Sequence, residues 1–111
     1  MFENNQLVIT TAKGLDVILC KNILRCEAER AHCRFVLLDG REILVKKSLG
    51  FFAPKLTEWN FLRVHKSTMV NLAHVKRYLK GAQGKIVMTD MSEILVASRK
   101  KTNLIHLLKV S

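Results

Sequence analysis

The stretch FLRVHKSTMVNLAHV, residues 61–75, decides how the rest of the chain is read. Leu62 and Val64 alternate with Arg63 and His65, the period of two that marks a half-buried β-strand. Lys66, Ser67 and Thr68 interrupt the alternation with groups that hydrogen-bond locally or reach a ligand. Met69, Val70 and Leu72 then return to the core before Val75 opens another apolar run. The segment therefore reads as strand, polar corner, strand.

Upstream of it, residues 1–6 form a polar lead-in expected to fray. Residues 7–11 and 17–19 are β-branched runs separated by Lys13-Gly14, a hairpin signal. A helical turn at 21–23 precedes a strand at 24–27, which enters the charged loop 28–32. Residues 35–38 and 43–45 flank Asp39-Gly40, a strong hairpin signal. Ser48 can cap a short helix from Leu49 with Phe52 and Leu56 facing the core, and Pro54 is expected to stop it near Ala53, with a separate turn starting at the proline as the alternative. Downstream, strands are expected at 75–79, 85–88 and 94–97. Ser98 is then expected to cap a C-terminal helix that places Leu104, Leu107 and Leu108 on one face. Short hairpins without β-α-β alternation predict a mainly β fold of antiparallel strands in small packed sheets, with one short internal helix and a C-terminal helix.

The chain has 111 residues, nearly half of them hydrophobic, so it is read as a single domain over 1–111 with a core of its own. Its apolar runs are too short to span a bilayer and the N-terminus lacks a secretory layout, which predicts a cytoplasmic location. Cys20, Cys26 and Cys33 are odd in number and lack metal-ligand spacing, so three reduced thiols are expected. The net charge is +10, and residues 61–111 hold ten Lys and Arg against two Asp and Glu, placing +8 of it in the second half. A basic half with few acids points to a polyanion, most simply nucleic acid. The alternative is a solvated basic surface.

Phe61, Arg63, His65, Ser67, Val70, Asn71 and Val75 also match, in type and spacing, the signature of the LytTR family, the DNA-binding output domain of many bacterial response regulators. Ser48-Leu49 resembles that family's short-helix start, and Ser98-Arg99 its Ser-Arg before the C-terminal helix. The resemblance covers about 23–108 and implies a mostly antiparallel β fold that reads double-stranded DNA from loops and loop ends. It places base readers at His32, Lys66 and Arg99. Arg and Lys can donate to guanine O6 and N7 in the major groove, and neutral His can donate or accept one bond at a base edge. It also implies repeated sites occupied by two copies, with a receiver domain or a sensor kinase pathway upstream, and it leaves open whether the chain acts as a stand-alone regulator or as the output half of a response regulator. Many relatives carry Arg or Asn at the position of Lys66, so base preference there does not transfer.

Arg30, Lys100 and Lys101 are assigned to phosphates, which position a protein without specifying sequence. Arg99, Lys100 and Lys101 in the first turn of a helix meet its positive dipole end, unfavourable by roughly 0.3–1 kcal/mol each, and a phosphate would offset that. Splaying into solvent is the other outcome. His65, between Arg63 and the Ser67 hydroxyl, reads as a hydrogen-bonded structural group rather than a ligand. With Ser67 and Asn71 it is expected to support the corner from behind.

No catalytic residue, metal site or cofactor is assigned. The histidines at 32, 65, 74 and 106 show no metal-binding pattern, and no glycine-rich phosphate loop or paired carboxylates appear. Cys33 beside His32 and Arg34 reads as an ordinary semi-buried thiol. The leading reading is a transcription regulator's DNA-binding domain. The alternative from another class is a basic protein-interaction module binding an acidic partner. RNA binding is disfavoured because Phe51, Phe52, Trp59, Phe61 and Tyr78 sit mostly in apolar runs rather than on a stacking surface.

Overall fold

The computed structural model describes residues 2, 3, 5–81 and 83–108. The chain begins with β1 (Phe2–Glu3), β2 (Gln6–Thr11) and β3 (Gly14–Leu19), then a 3-10 turn over Cys20–Asn22. Strands β4 (Ile23–Glu29), β5 (His32–Leu37) and β6 (Glu42–Val45) lead into α1 (Leu49–Glu58). After it come β7 (Phe61–His65), β8 (Thr68–Asn71), a 3-10 turn over Leu72–His74, β9 (Val75–Leu79), β10 (Lys85–Met88) and β11 (Glu93–Leu95). A last 3-10 turn, Ser98–Lys100, runs into α2 (Lys101–Leu108).

The strands make three sheets, ordered β1-β2-β3, β6-β5-β4-β8-β7 and β11-β10-β9. Every pairing is antiparallel. This is the mainly β architecture expected, and the corner at 66–67 is the turn of a β7–β8 hairpin. The five-stranded sheet is covered on both faces. One face buries Ile23, Cys26, Phe35 and Met69 against Leu7, Ile9 and Ile18 of the first sheet and against Leu49, Phe52 and Leu56 of α1. The other buries Leu24, Val36, Val64 and Val70 against Ile86, Met88 and Ile94 of the third sheet and Leu104 of α2. Burial on both faces accounts for the continuous run from Phe35 to Leu37, since neighbouring side chains point to opposite cores.

Local chemistry sets most boundaries, with some departures from expectation. The Ser48 hydroxyl accepts a bond from the Phe51 N–H at 3.2 Å, as a helix cap does. Helix α1 then continues through Pro54 to Glu58 rather than stopping at Ala53. The proline removes a single backbone donor and lies on the exposed side, while Leu49, Phe52 and Leu56 keep the inner stripe buried. The helix gives way at Asn60, whose φ of 69° is a left-handed conformation that asparagine tolerates. Within the lead-in Phe2 pairs with Leu7 and Glu3 with Gln6, and Met1 and Asn4 lie outside the described residues. Gly84 is a packing glycine, since a Cβ there would sit 2.5 Å from the Tyr78 hydroxyl.

The cysteines also depart from expectation. Cys26 and Cys33 form a disulfide, and Cys20 is free and buried, its thiol pushed up to about 11 by desolvation. Cys26 faces Phe35 and Ala28 faces Cys33 across the β4–β5 ladder, so the two cysteines are diagonal neighbours on one face. Seven residues of separation hide that proximity until the hairpin register is known. No helix of the described residues is long and apolar enough to cross a membrane.

Candidate nucleic-acid interface

The antiparallel order of the five-stranded sheet brings five strand ends to one edge. These are the C-terminal ends of β6, β4 and β7 and the N-terminal ends of β5 and β8, aligned through the pairs Cys33↔Val45, Glu29↔His32, Glu27↔Thr68 and His65↔Thr68. Two hairpin turns protrude there side by side. One is Arg30-Ala31 between β4 and β5, and the other is Lys66-Ser67 between β7 and β8. A backbone bond from the Ala28 N–H to the Ser67 carbonyl at 2.7 Å ties them together.

His32 is not in a loop as expected. It opens β5, paired with Glu29, because β4 runs two residues further than its apolar core and leaves a turn of only two residues. Arg30 in that turn has φ of 59°, a left-handed conformation that costs a non-glycine residue about 1–2 kcal/mol. Replacing Arg30 with glycine should therefore raise stability by up to about 1 kcal/mol. If its exposed side chain holds a phosphate, the same change should lower affinity for all duplexes alike. Chemical denaturation and binding titrations on one variant separate the two effects, and a gain in both would exclude a role for the side chain.

The second turn is built from its own flanks. The Arg63 guanidinium donates to the Lys66 carbonyl through both Nε and Nη2, locking the turn and leaving the Lys66 side chain exposed. The Ser67 N–H donates to His65 Nδ1 at 3.2 Å, so Nδ1 accepts and the Ser67 hydroxyl at 2.9 Å donates to it as well. His65 and Ser67 thus brace the corner, a geometry in which the imidazole is structural. Arg63 was missed as a brace by sequence reasoning. The signal available was its position across the corner, three residues before Lys66.

Asn71 lies at the far end of β8 from this corner. Its buried amide donates to the carbonyls of Ile23 at 3.0 Å and Cys20 at 3.4 Å and accepts from the Ala73 N–H at 3.1 Å. It fastens the chain where β4 begins, so the expected support from behind the corner falls elsewhere.

The third component arrives after β11. The Ala97 N–H donates to the Val64 carbonyl at 2.8 Å, which pins the Ser98–Lys100 turn against the end of β7. Ser98 supplies no side-chain cap. Ala97 takes that role through its carbonyl, which accepts from the Lys100 N–H at 2.8 Å, so Arg99 and Lys100 precede α2 rather than occupy its first turn. Arg63, His65, Lys66, Ala97, Arg99 and Lys100 line one cleft of about 360 Å³. Lys101 does not line this cleft, and its Cε lies beside Gly84. Lys66 and Arg99 are therefore brought together. His32 and Arg30 sit on the adjoining hairpin of the same edge, about 10–14 Å away at two to three strand spacings.

The electrostatics favour an anion. Arg34 pairs with both Glu29 and Glu42, and Arg25 holds Glu27 at 2.8 Å and Asp90 at 3.5 Å. These carboxylates are neutralised by cations set back from the edge. Among the described residues, Arg30, Lys66, Arg99 and Lys100 carry no ion pair. Asp90 loses some solvation on partial burial, yet the Ser92 hydroxyl and N–H and the Arg25 guanidinium hold its carboxyl below the usual range.

The family model described as the LytTr DNA-binding domain matches residues 13–109. The chain belongs to this family. A solved structure, the LytTr DNA-binding domain of a Bacillus cereus protein described as a methyl-accepting/DNA response regulator, aligns with a TM-score of 0.80. Its identity is 19%, over 96% of this chain and 99% of that one, a likeness that shows the shared LytTr fold. Among curated proteins none matches. In this LytTr domain the residues of the 61–75 stretch divide into braces, such as Arg63, His65 and Ser67, and an exposed lysine that they present.

Proposed function

We propose that this LytTr domain binds double-stranded DNA sequence-specifically as the output domain of a bacterial transcription regulator, acting in the cytoplasm. The observation that carries this reading is the alignment of Arg30, His32, Lys66, Arg99 and Lys100 along one edge whose carboxylates are already paired. His32, Lys66 and Arg99 are assigned to base edges, reaching successive major grooves. Arg30, Lys100 and Lys101 are assigned to phosphates. Arg and Lys supply major-groove donors, and the unopposed charge supplies affinity for the backbone. Two copies side by side on a repeated site, under the control of a receiver domain or acting as a stand-alone regulator, complete the proposal. No cofactor and no reaction are assigned.

The test is selection of bound sequences from a random duplex pool, followed by titration of the enriched duplex at several salt concentrations. An enriched repeat is expected. Log K should fall against log salt with a slope of about −0.9 per phosphate neutralised, so at least about −1.8 for Arg30 and Lys100 together. Absence of enrichment with a slope near zero would overturn the reading in favour of an acidic protein partner.

A further inference from the structure

The cationic edge does not stop at His32. Strand β5 is followed in the sheet by β6, whose last residue Val45 pairs with Cys33. Lys46 follows directly, where the chain leaves β6 at the same end of the sheet at which His32 opens β5. Lys47 follows, and its Nζ lies 4.9 Å from the centre of the Phe51 ring, a cation–π contact that holds the ammonium near the start of α1. Both lysines are exposed, and among the described residues neither has an ion pair. The nearest acid on β6, Glu42, is engaged by Arg34 at 3.4 Å, and the first turn of α1 contains no acid. Two cations therefore extend the edge where no carboxylate opposes them.

Their distance from the other end says what they would meet. Four strand spacings separate β6 from β7, about 19 Å, which exceeds the roughly 12 Å width of one major groove. β6 is also the outermost strand, one place beyond the strand that carries His32, so Lys46 and Lys47 flank the base-reading residues on the side where a duplex continues as sugar–phosphate backbone. Resting on the DNA-binding reading above, we propose that Lys46 and Lys47 form a separate phosphate-binding site at the β6 end of the edge. It engages the DNA backbone beyond the base pairs next to His32, lengthening the footprint on that flank without adding to sequence choice.

The experiment compares the full chain with its Lys46→Gln/Lys47→Gln variant on the enriched duplex. Glutamine keeps a stem over Phe51, and thermal unfolding of both proteins confirms the fold. The salt slope of the variant should be shallower by about 1.8, two phosphate contacts fewer, while the ratio of affinities for enriched and scrambled duplexes stays unchanged. Shortening the duplex from one end only should reduce wild-type affinity to that of the variant, and Lys46→Arg/Lys47→Arg should retain the wild-type slope. A wild-type slope in the glutamine variant overturns the site while leaving the DNA-binding reading intact. A change in the enriched-to-scrambled ratio overturns the phosphate assignment. Failure of the wild-type chain to retard any duplex overturns both.

Discussion

Arg99→Ala is expected to erode discrimination between the enriched duplex and a scrambled one by about 1–3 kcal/mol, roughly 5- to 150-fold, the value of one good bidentate contact to a base edge. The side chain is exposed and without an ion pair among the described residues. It shares a cleft with Lys66 at a turn pinned by the bond from Ala97 to Val64. A guanidinium on a fixed turn loses little freedom when it binds, and its planar fork matches guanine O6 and N7. Arg99→Lys should keep the charge yet lose much of the discrimination, because a single ammonium cannot make the same pair of parallel bonds. Competition binding on the two duplexes measures this directly. Equal losses on both for Arg99→Ala would move Arg99 to the phosphate class.

Phe52→Ala is expected to lower the unfolding free energy by about 3–5 kcal/mol. Phe52 is fully buried, edge-to-face with Phe35 at 5.1 Å and with Phe51 at 5.1 Å, and it joins α1 to the five-stranded sheet. Removing the ring forfeits its transfer from water and leaves a cavity that strands β5 and β7 cannot close without breaking their pairing. Against the roughly 5–15 kcal/mol that holds a domain together, this is a fifth or more. Denaturant titration should show a lower midpoint with an unchanged slope, and the molecules still folded should bind DNA as before. A loss under about 1 kcal/mol would mean that α1 is not anchored on the sheet through this ring.

The helix around Pro54 and the strands that carry the cysteines show what linear reading could and could not see. Period-two alternation and the Asp39-Gly40 turn located the β5–β6 hairpin, because those signals depend on neighbours in sequence. Pro54 misled the reading of α1. Its local penalty is independent of context, whereas the burial of Leu49, Phe52 and Leu56 that outweighs it is tertiary. The Cys26–Cys33 bridge depends on register, and the role of Asn71 depends on carbonyls 48 and 51 residues away. Neither leaves a trace in spacing. The site residues were legible as residue types in a familiar pattern, but the position of His32 in a ladder and of Lys101 over Gly84 was not.

Composition and alternation alone determined that this chain is a basic, mostly antiparallel β domain with two short helices, since charge and hydrophobic period are properties of the string. Only the folded sheet decided that three remote segments share an edge. Strand order and register are fixed by long-range pairing and burial, so the meeting of Arg30, Lys66 and Arg99, and the continuation of that edge to Lys46, existed nowhere until β4 paired with β8.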